Sequence, residues 1–191
     1  SFFGILLLVF IIISYFKASG IIANSKDTLE DLFKYRIINK KKKTAIIGNP
    51  LITKKKYYFK KKNNFNALSV GRLEYQKNFT FLIKAFQKVI KKIPYAKLYI
   101  LGEGSQYQYL NNLLKGLNLQ KNIFLEGFKL NPKNYFLKSD LFIMTSRWEG
   151  FGNVLVEAMS YGNKIICTTY KGGPKEILKN NKESMIKTNS T

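Results

Sequence analysis

The 191-residue sequence has no histidine, a single cysteine, four prolines and only three arginines and three aspartates. Without histidine, this stretch of chain has no imidazole general base and no Ser-His or Cys-His nucleophile system. Cys167 has no partner for an internal disulfide, and no Cys/His cluster exists to hold a structural zinc ion. Asp27, Asp31 and Asp140 form no Asp-x-Asp pair of the kind that holds a divalent ion, so metal dependence is not expected. The longest apolar stretch, Phe2 to Phe16, falls short of the ~20 residues a membrane-spanning helix needs. Neither the basic leader nor the small-residue cleavage site of a secretory signal accompanies it. It is expected to be a buried helix of a larger domain, with membrane contact as the other reading.

What is abundant is lysine. Lys and Arg total 33 against 11 Asp and Glu, for a formal charge of +22, and all the basic residues except Arg36, Arg72 and Arg147 are lysines. Bidentate reading of phosphates and bases favours arginine, so a lysine excess accompanied by Asn, Ile, Tyr and Phe reads as compositional drift. At 46% hydrophobic and 15% aromatic, the chain has ample material for a core, and wholesale disorder is excluded.

Strand and helix patterns alternate along the chain. Residues 20–23 and Thr44 to Ile47 read as strands, separated by a helix through Phe33 that Asp27 and Glu30 open as a capping box. Lys54 to Lys62, with Tyr57, Tyr58 and Phe59 inside it, reads as a basic linker. Beyond it come strands at residues 67–70, 97–101, 122–125, 141–145 and 164–167. Helices carry Phe79 to Ile93, Leu110 to Leu117, Pro132 to Leu137, Asn153 to Ser160, and a short segment from Pro174. Asn180 to Thr191 is polar and is expected to hold no complete element. This order implies an α/β fold, a Rossmann-like parallel sheet with helices on both faces. Ligands in such sheets bind beyond the carboxyl ends of the strands, so four loops there are the candidates.

Val70-Gly71-Arg72-Leu73 with Lys77 delivers two cations beside a helix start, an arrangement suited to a diphosphate. Leu101-Gly102-Glu103-Gly104-Ser105 is a glycine turn without the full spacing of a dinucleotide fingerprint. Ser146-Arg147-Trp148-Glu149-Gly150-Phe151-Gly152-Asn153 enters a helix whose backbone N–H groups can bind an anion. Inside that helix Glu157 sits among Val154, Leu155, Val156, Ala158 and Met159, where an unpaired carboxylate is expensive. The two carboxylates are expected to flank one ligand, accepting from hydroxyls. Gly172-Gly173-Pro174 with Glu176 places another helix start on the same edge.

Glu149 through Glu157 resembles the E-x7-E motif of retaining glycosyltransferase family four, which has the two-domain GT-B fold. Val70-Gly71-Arg72-Leu73 with Lys77-Asn78, Leu101-Gly102-Glu103-Gly104, Asn122 to Gly127, and Gly172-Gly173-Pro174-Lys175-Glu176-Ile177 are similar to the family's other motifs and follow in its order. Residues 18–25 and 47–50 resemble the tail of its N-terminal, acceptor-side domain. The resemblance implies three parts: residues 1–50 as that tail, 51–65 as the basic linker, and 66–191 as the C-terminal nucleotide-sugar-binding domain, truncated at its end. It also implies that the chain is a fragment, expected to bind donor nucleotide weakly and to transfer no sugar alone.

Carried over residue by residue, the resemblance gives Arg72 and Lys77, beside Gly71, the donor diphosphate and the leaving nucleotide. Glu149 would contact hydroxyls of the donor sugar. The amides from Gly150 through Phe151, Gly152 and Asn153 to Val154 would meet sugar and phosphate. Glu157 would bind the ribose diol, and the loops near Gly104 and Phe128 would lie towards the base. Glu149, Arg72 and Lys77 are thus the catalytic candidates, with a nucleotide sugar as substrate and no cofactor or metal.

Asn131-Pro132 with Tyr135, and Trp148, are similar to members building bacterial surface polysaccharides. That favours a hexose or hexosamine on UDP and a polysaccharide or lipid-linked acceptor. It also favours a cytoplasmic enzyme peripheral on the inner face of the membrane, through the opening segment and the Lys54 to Lys62 run. Two other classes stay open. A non-catalytic nucleotide-sugar-binding remnant would keep Arg72 and Glu157. A nucleic-acid binder would use the lysine run and its aromatics, and its binding would be steeply salt-dependent.

Overall fold

A computed structural model describes residues 2–50, 65–168 and 173–186. The basic run Lys54 to Lys62, Gly172 and residues 187–191 lie outside the described residues. The first part consists of α1 (Phe2–Lys17), β1 (Ile21–Ala23), α2 (Lys26–Lys34) and β2 (Thr44–Ile46), with β1 and β2 paired in parallel. The second part alternates strictly: β3 (Asn66–Val70), α3 (Phe79–Lys92), β4 (Lys97–Leu101), α4 (Tyr107–Gly116), β5 (Ile123–Leu125) and α5 (Lys133–Lys138). Then come β6 (Leu141–Met144), α6 (Asn153–Ser160), β7 (Lys164–Thr168), α7 (Gly173–Ile177) and β8 (Met185–Ile186).

These strands form one six-stranded sheet in the order β5-β4-β3-β6-β7-β8, with every neighbouring pair parallel. Period-2 side-chain alternation assigns successive residues to opposite faces. Ala67 packs with Phe79, Ile83, Phe86 and Leu110, the buried stripes of α3 and α4. Its neighbour Leu68 packs with Phe136, Phe142 and Leu155 against α5 and α6. Both faces are therefore covered, as an all-parallel sheet requires. The helix boundaries follow from local chemistry. α3 stops at Lys92 because Ile93, which precedes Pro94, leaves the helical region at φ −132°.

Three expectations need correction. The helix at Phe2–Lys17 forms, but it is not buried among the described residues: Phe10 is 69% and Phe16 81% exposed. Among the described residues, no helix is long and apolar enough to cross a membrane. The cap of α2 is Ser25 rather than Asp27. The Ser25 hydroxyl accepts from the Thr28 backbone N–H at 3.2 Å, and Asp27 falls inside the first turn, where its charge still suits the helix dipole. Third, the polar terminal segment does carry an element, since β8 pairs with β7 at Cys167 and Thr168. Two residues give no readable periodicity, so an edge strand this short escapes a pattern search.

Asn163 locks the second face. Its amide Nδ2 donates to the carbonyls of Phe136 and Ser139 at 2.9 and 2.8 Å, tying the end of α5 to the turn before β7 in a buried setting. Asn163→Ala leaves both carbonyls without that donor and is expected to cost about 2–3 kcal/mol. A urea denaturation midpoint lowered accordingly, with unchanged slope, checks this.

Candidate functional site

The strand order reverses direction once. The chain moves outward from β3 through β4 to β5, then returns to the other side of β3 with β6, so the carboxyl ends of β3 and β6 diverge into a crevice. Gly71 and Arg72 leave β3 at this point, and Thr145 through Glu149 leave β6.

The two loops are stitched together. Thr145 Oγ1 donates to the Lys77 carbonyl at 3.0 Å, the Arg147 backbone N–H to the Gln76 carbonyl at 2.7 Å, and Gln76 Nε2 to the Trp148 carbonyl at 2.8 Å. Arg147 lies with its guanidinium 4.2 Å from the Tyr75 ring centroid, while its Nη2 donates to Asn78 Oδ1 at 3.2 Å. This arginine therefore braces the loop rather than lining the crevice. The stitching brings Lys77 Nζ within 2.5 Å of Glu149 Oε1, and the Ser146 hydroxyl reaches the same oxygen at 2.5 Å. The ion pair is well covered, with the lysine and glutamate side chains 14% and 11% exposed.

Glycine geometry completes the approach. Gly152 caps α6 in the left-handed region at φ 87°, turning the chain so that the helix start opens on the crevice. Gly102 has φ +137°, and a Cβ there would lie 2.0 Å from the Gly71 carbonyl oxygen, so no side chain fits where the β3 and β4 loops meet.

The resulting cavity, about 400 Å³, is lined by Asn49, Val70, Gly71, Arg72, Gln76, Lys77, Glu149, Phe151, Gly152, Asn153 and Val154. Eight of the ten residues singled out from the sequence are among these; Gly150 and Glu157 are not. Gly150 instead accepts at its carbonyl from the Gly173 N–H at 2.8 Å, holding the last glycine turn against this loop. Glu157 lies further along α6, half-buried, and is not among the residues lining this cavity. Asn49 and Gln76 were missed. Asn49 comes from the first part of the chain and donates through Nδ2 to Asn153 Oδ1 at 2.8 Å. In the sequence it belonged to residues 47–50, which resemble the tail of the acceptor-side domain but carried no site role; Gln76 had no signal beyond its place beside Lys77.

A second cavity of about 320 Å³ adjoins the first and shares Val70, Gly71 and Arg72 with it. Its remaining walls are Leu101, Gly102, Glu103, Phe128, Lys129 and Pro132. Phe128 is thus on this wall, whereas Gly104 is not. Tyr135 is occupied elsewhere: its hydroxyl donates to Glu126 Oε2 at 2.7 Å, and that bond, with burial, pushes its pKa up to about 12.

Burial also raises the Glu157 carboxyl above its ordinary value, and it pushes the Cys167 thiol up to about 12, with the Glu149 charge adding to it. A carboxyl whose native pKa is raised binds its proton more tightly folded than unfolded. Its stability contribution is therefore lost as pH rises from the unfolded value near ~4.3 through the native one. Glu157→Gln is expected to melt higher than the wild type at pH 8 and nearly equal to it at pH 4, measured by calorimetry at both pH values.

Comparison with known proteins places the chain in a family and a fold. The model of the family "Glycosyl transferases group 1" matches residues 52–191. An uncharacterised glycosyltransferase of Methanocaldococcus jannaschii is 42% identical over 116 residues, covering 61% of this chain and 29% of that protein. The N-acetylgalactosamine-N,N'-diacetylbacillosaminyl-diphospho-undecaprenol 4-alpha-N-acetylgalactosaminyltransferase of Campylobacter jejuni is 37% identical over 167 residues, covering 85% and 45%. The chain thus spans less than half the length of either relative. Among solved structures, S. aureus TarM in complex with fondaparinux, alpha-GlcNAc-glycerol and UDP superposes with a TM-score of 0.83 at 24% identity, over 95% of this chain and 36% of that one. Anabaena HepE in complex with UDP and glucose does so with 0.75 at 23%, over 88% and 49%. The fold is that of GT-B glycosyltransferases.

Proposed function

The chain belongs to the glycosyl transferases group 1 family, and on that footing we propose that its crevice is the donor site of a retaining, metal-independent glycosyltransferase using a nucleoside-diphosphate sugar. The observation that carries the reading is the convergence of Arg72, Lys77, Glu149 and the start of α6 on one cavity at the strand reversal. Arg72, exposed on the rim, and Lys77 supply cationic neutralisation for a diphosphate, and the amides of Asn153 and Val154 at the helix start add a fixed positive potential. Charge developing on the departing nucleotide, as the bond between the sugar's anomeric carbon and the phosphate oxygen breaks, is stabilised by these groups in place of a metal ion.

Glu149 is the acceptor for sugar hydroxyls. Glu157, held at a cost by its burial further along α6, is the acceptor for the ribose diol. The adjoining second cavity, with apolar walls at Leu101, Phe128 and Pro132, takes the base. UDP is the preferred nucleotide, since TarM and HepE were both solved with UDP. The Campylobacter relative's name supports a lipid-linked acceptor in surface polysaccharide or glycolipid synthesis. The exposed apolar residues of α1, beside Lys42, whose Nζ donates to the Phe16 and Ala18 carbonyls at 2.8 and 2.7 Å, favour peripheral contact with an anionic leaflet. Residues 1–50 belong, on this reading, to the acceptor-side domain, of which Asn49 already reaches the donor cavity.

Thermal-shift titration with UDP, GDP and ADP tests this. Stabilisation by UDP above the other two is expected, approaching the ~2.7 kcal/mol that a ligand at about a hundred times its Kd confers. Arg72→Ala should weaken it and Glu157→Ala abolish it. No shift with any of the three nucleotides would contradict the donor-site reading.

A further inference from the structure

The Lys77–Glu149 pair sets the lysine's charge against the very ligand it would bind. Glu149 Oε1 takes both the Lys77 ammonium and the Ser146 hydroxyl, while among the described residues Oε2 has no hydrogen-bond partner. Gly71 lies close against the Lys77 stem, where even a Cβ would come within 2.9 Å of Cε, so the lysine is boxed in towards the carboxylate. Both members line the cavity and both are nearly covered. A diphosphate competes with Glu149 for the Lys77 ammonium. A ligand that draws the lysine away leaves a covered carboxylate beside a second anion, and breaking a covered pair by removing one partner is strongly unfavourable.

We propose that Glu149 makes the site selective for sugar-bearing nucleotides over the free nucleoside diphosphate, by holding Lys77 until a sugar supplies hydroxyl donors to the carboxylate. This rests on the donor-site reading given above. A sugar-bearing ligand compensates Glu149 through Oε2 for the lysine it gives up; a bare diphosphate offers only acceptors and compensates nothing. The pair re-forms once the sugar has left, and this favours release of the nucleotide product. Glu149 therefore acts through Lys77 on the phosphate side of the ligand as well as directly on the sugar side.

Calorimetric titration of the 191-residue chain separates the outcomes. The probes are inorganic pyrophosphate, UDP, and whichever of UDP-glucose and UDP-N-acetylglucosamine the wild type binds more tightly. Glu149→Gln is expected to bind pyrophosphate and UDP about tenfold more tightly than the wild type, equivalent to about 1.4 kcal/mol, and to gain less or lose for the sugar nucleotide. Glu149→Asp, which keeps the charge but withdraws it by one methylene, should fall between, and it carries the test if the glutamine variant does not fold by circular dichroism. In a Lys77→Met background the gain should vanish, because there is no pair left to release.

An unchanged or weaker affinity for pyrophosphate and UDP in the Glu149 variants would overturn the proposal while leaving the donor site standing. So would a gain that persists with Lys77→Met, the signature of simple removal of a negative charge. A wild type that binds none of pyrophosphate, UDP, UDP-glucose and UDP-N-acetylglucosamine would overturn the donor-site reading and this proposal with it.

Discussion

β6 returns across the sheet to pair with β3, matching Ala67 to Leu141 and Leu68 to Phe142. The rest of the site depends on this pairing. It sets the loop that carries Arg72 and Lys77 beside the loop that carries Glu149, although Lys77 and Glu149 lie 72 residues apart in sequence. Right-handed crossovers keep α3 and α4 on one face and α5 and α6 on the other. Both faces are then closed by apolar packing, and the carboxyl edge alone is left for polar chemistry. The hydrogen bonds from Thr145, Arg147 and Gln76 turn that neighbourhood into a fixed geometry.

Within this geometry the electrostatics are local. A formal charge of +22 spread over 191 residues leaves most lysines on solvated surfaces, where screening reduces each to a small contribution. Lys77 differs because it is covered and paired, and Arg72 because it stands on the rim shared by two cavities. Acidic groups divide in the same way. Glu74 is held below the usual carboxylate range by hydrogen bonds from the Ser105 backbone and hydroxyl, which fixes the β3 and β4 loops together. Glu157 is pushed upward by burial without an ion-pair partner among the described residues, a cost that the fold alone does not repay.

The first part of the chain contributes to the second through few but well-placed contacts. Asn49 reaches Asn153 at the start of α6, and the Lys26 backbone N–H donates to Glu176 Oε1 at 2.6 Å. Asn24 lies beside Gly150 and Gly48 beside Phe151. Two glycine-containing loops beside the cavity are thus backed by residues from a different sheet.

Periodicity and punctuation were sufficient to read the alternation of elements, because α3 repeats apolar residues at helical spacing and Pro94 ends it, and because β3 and β4 are short apolar runs closed by glycine. The positions of Gly71, Arg72, Lys77, Glu149 and Asn153 at strand ends and a helix start were legible for the same reason. β8, the Ser25 cap and the exposure of α1 were not. A two-residue strand has no period, Ser25 and Asp27, two positions apart, compete as caps on equal terms, and apolar composition does not say what covers a helix. Nor could the sequence place Arg147, a rare arginine in the richest loop, which turns out to brace Tyr75 and Asn78. Local sequence determined which residues were available at the ends of strands, since backbone propensity and hydrophobic pattern are short-range properties. Tertiary structure alone decided which ends meet, that Glu149 rather than Glu157 lines the cavity, and that Asn49 joins it. Those outcomes depend on strand order and on bonds between residues far apart in the chain.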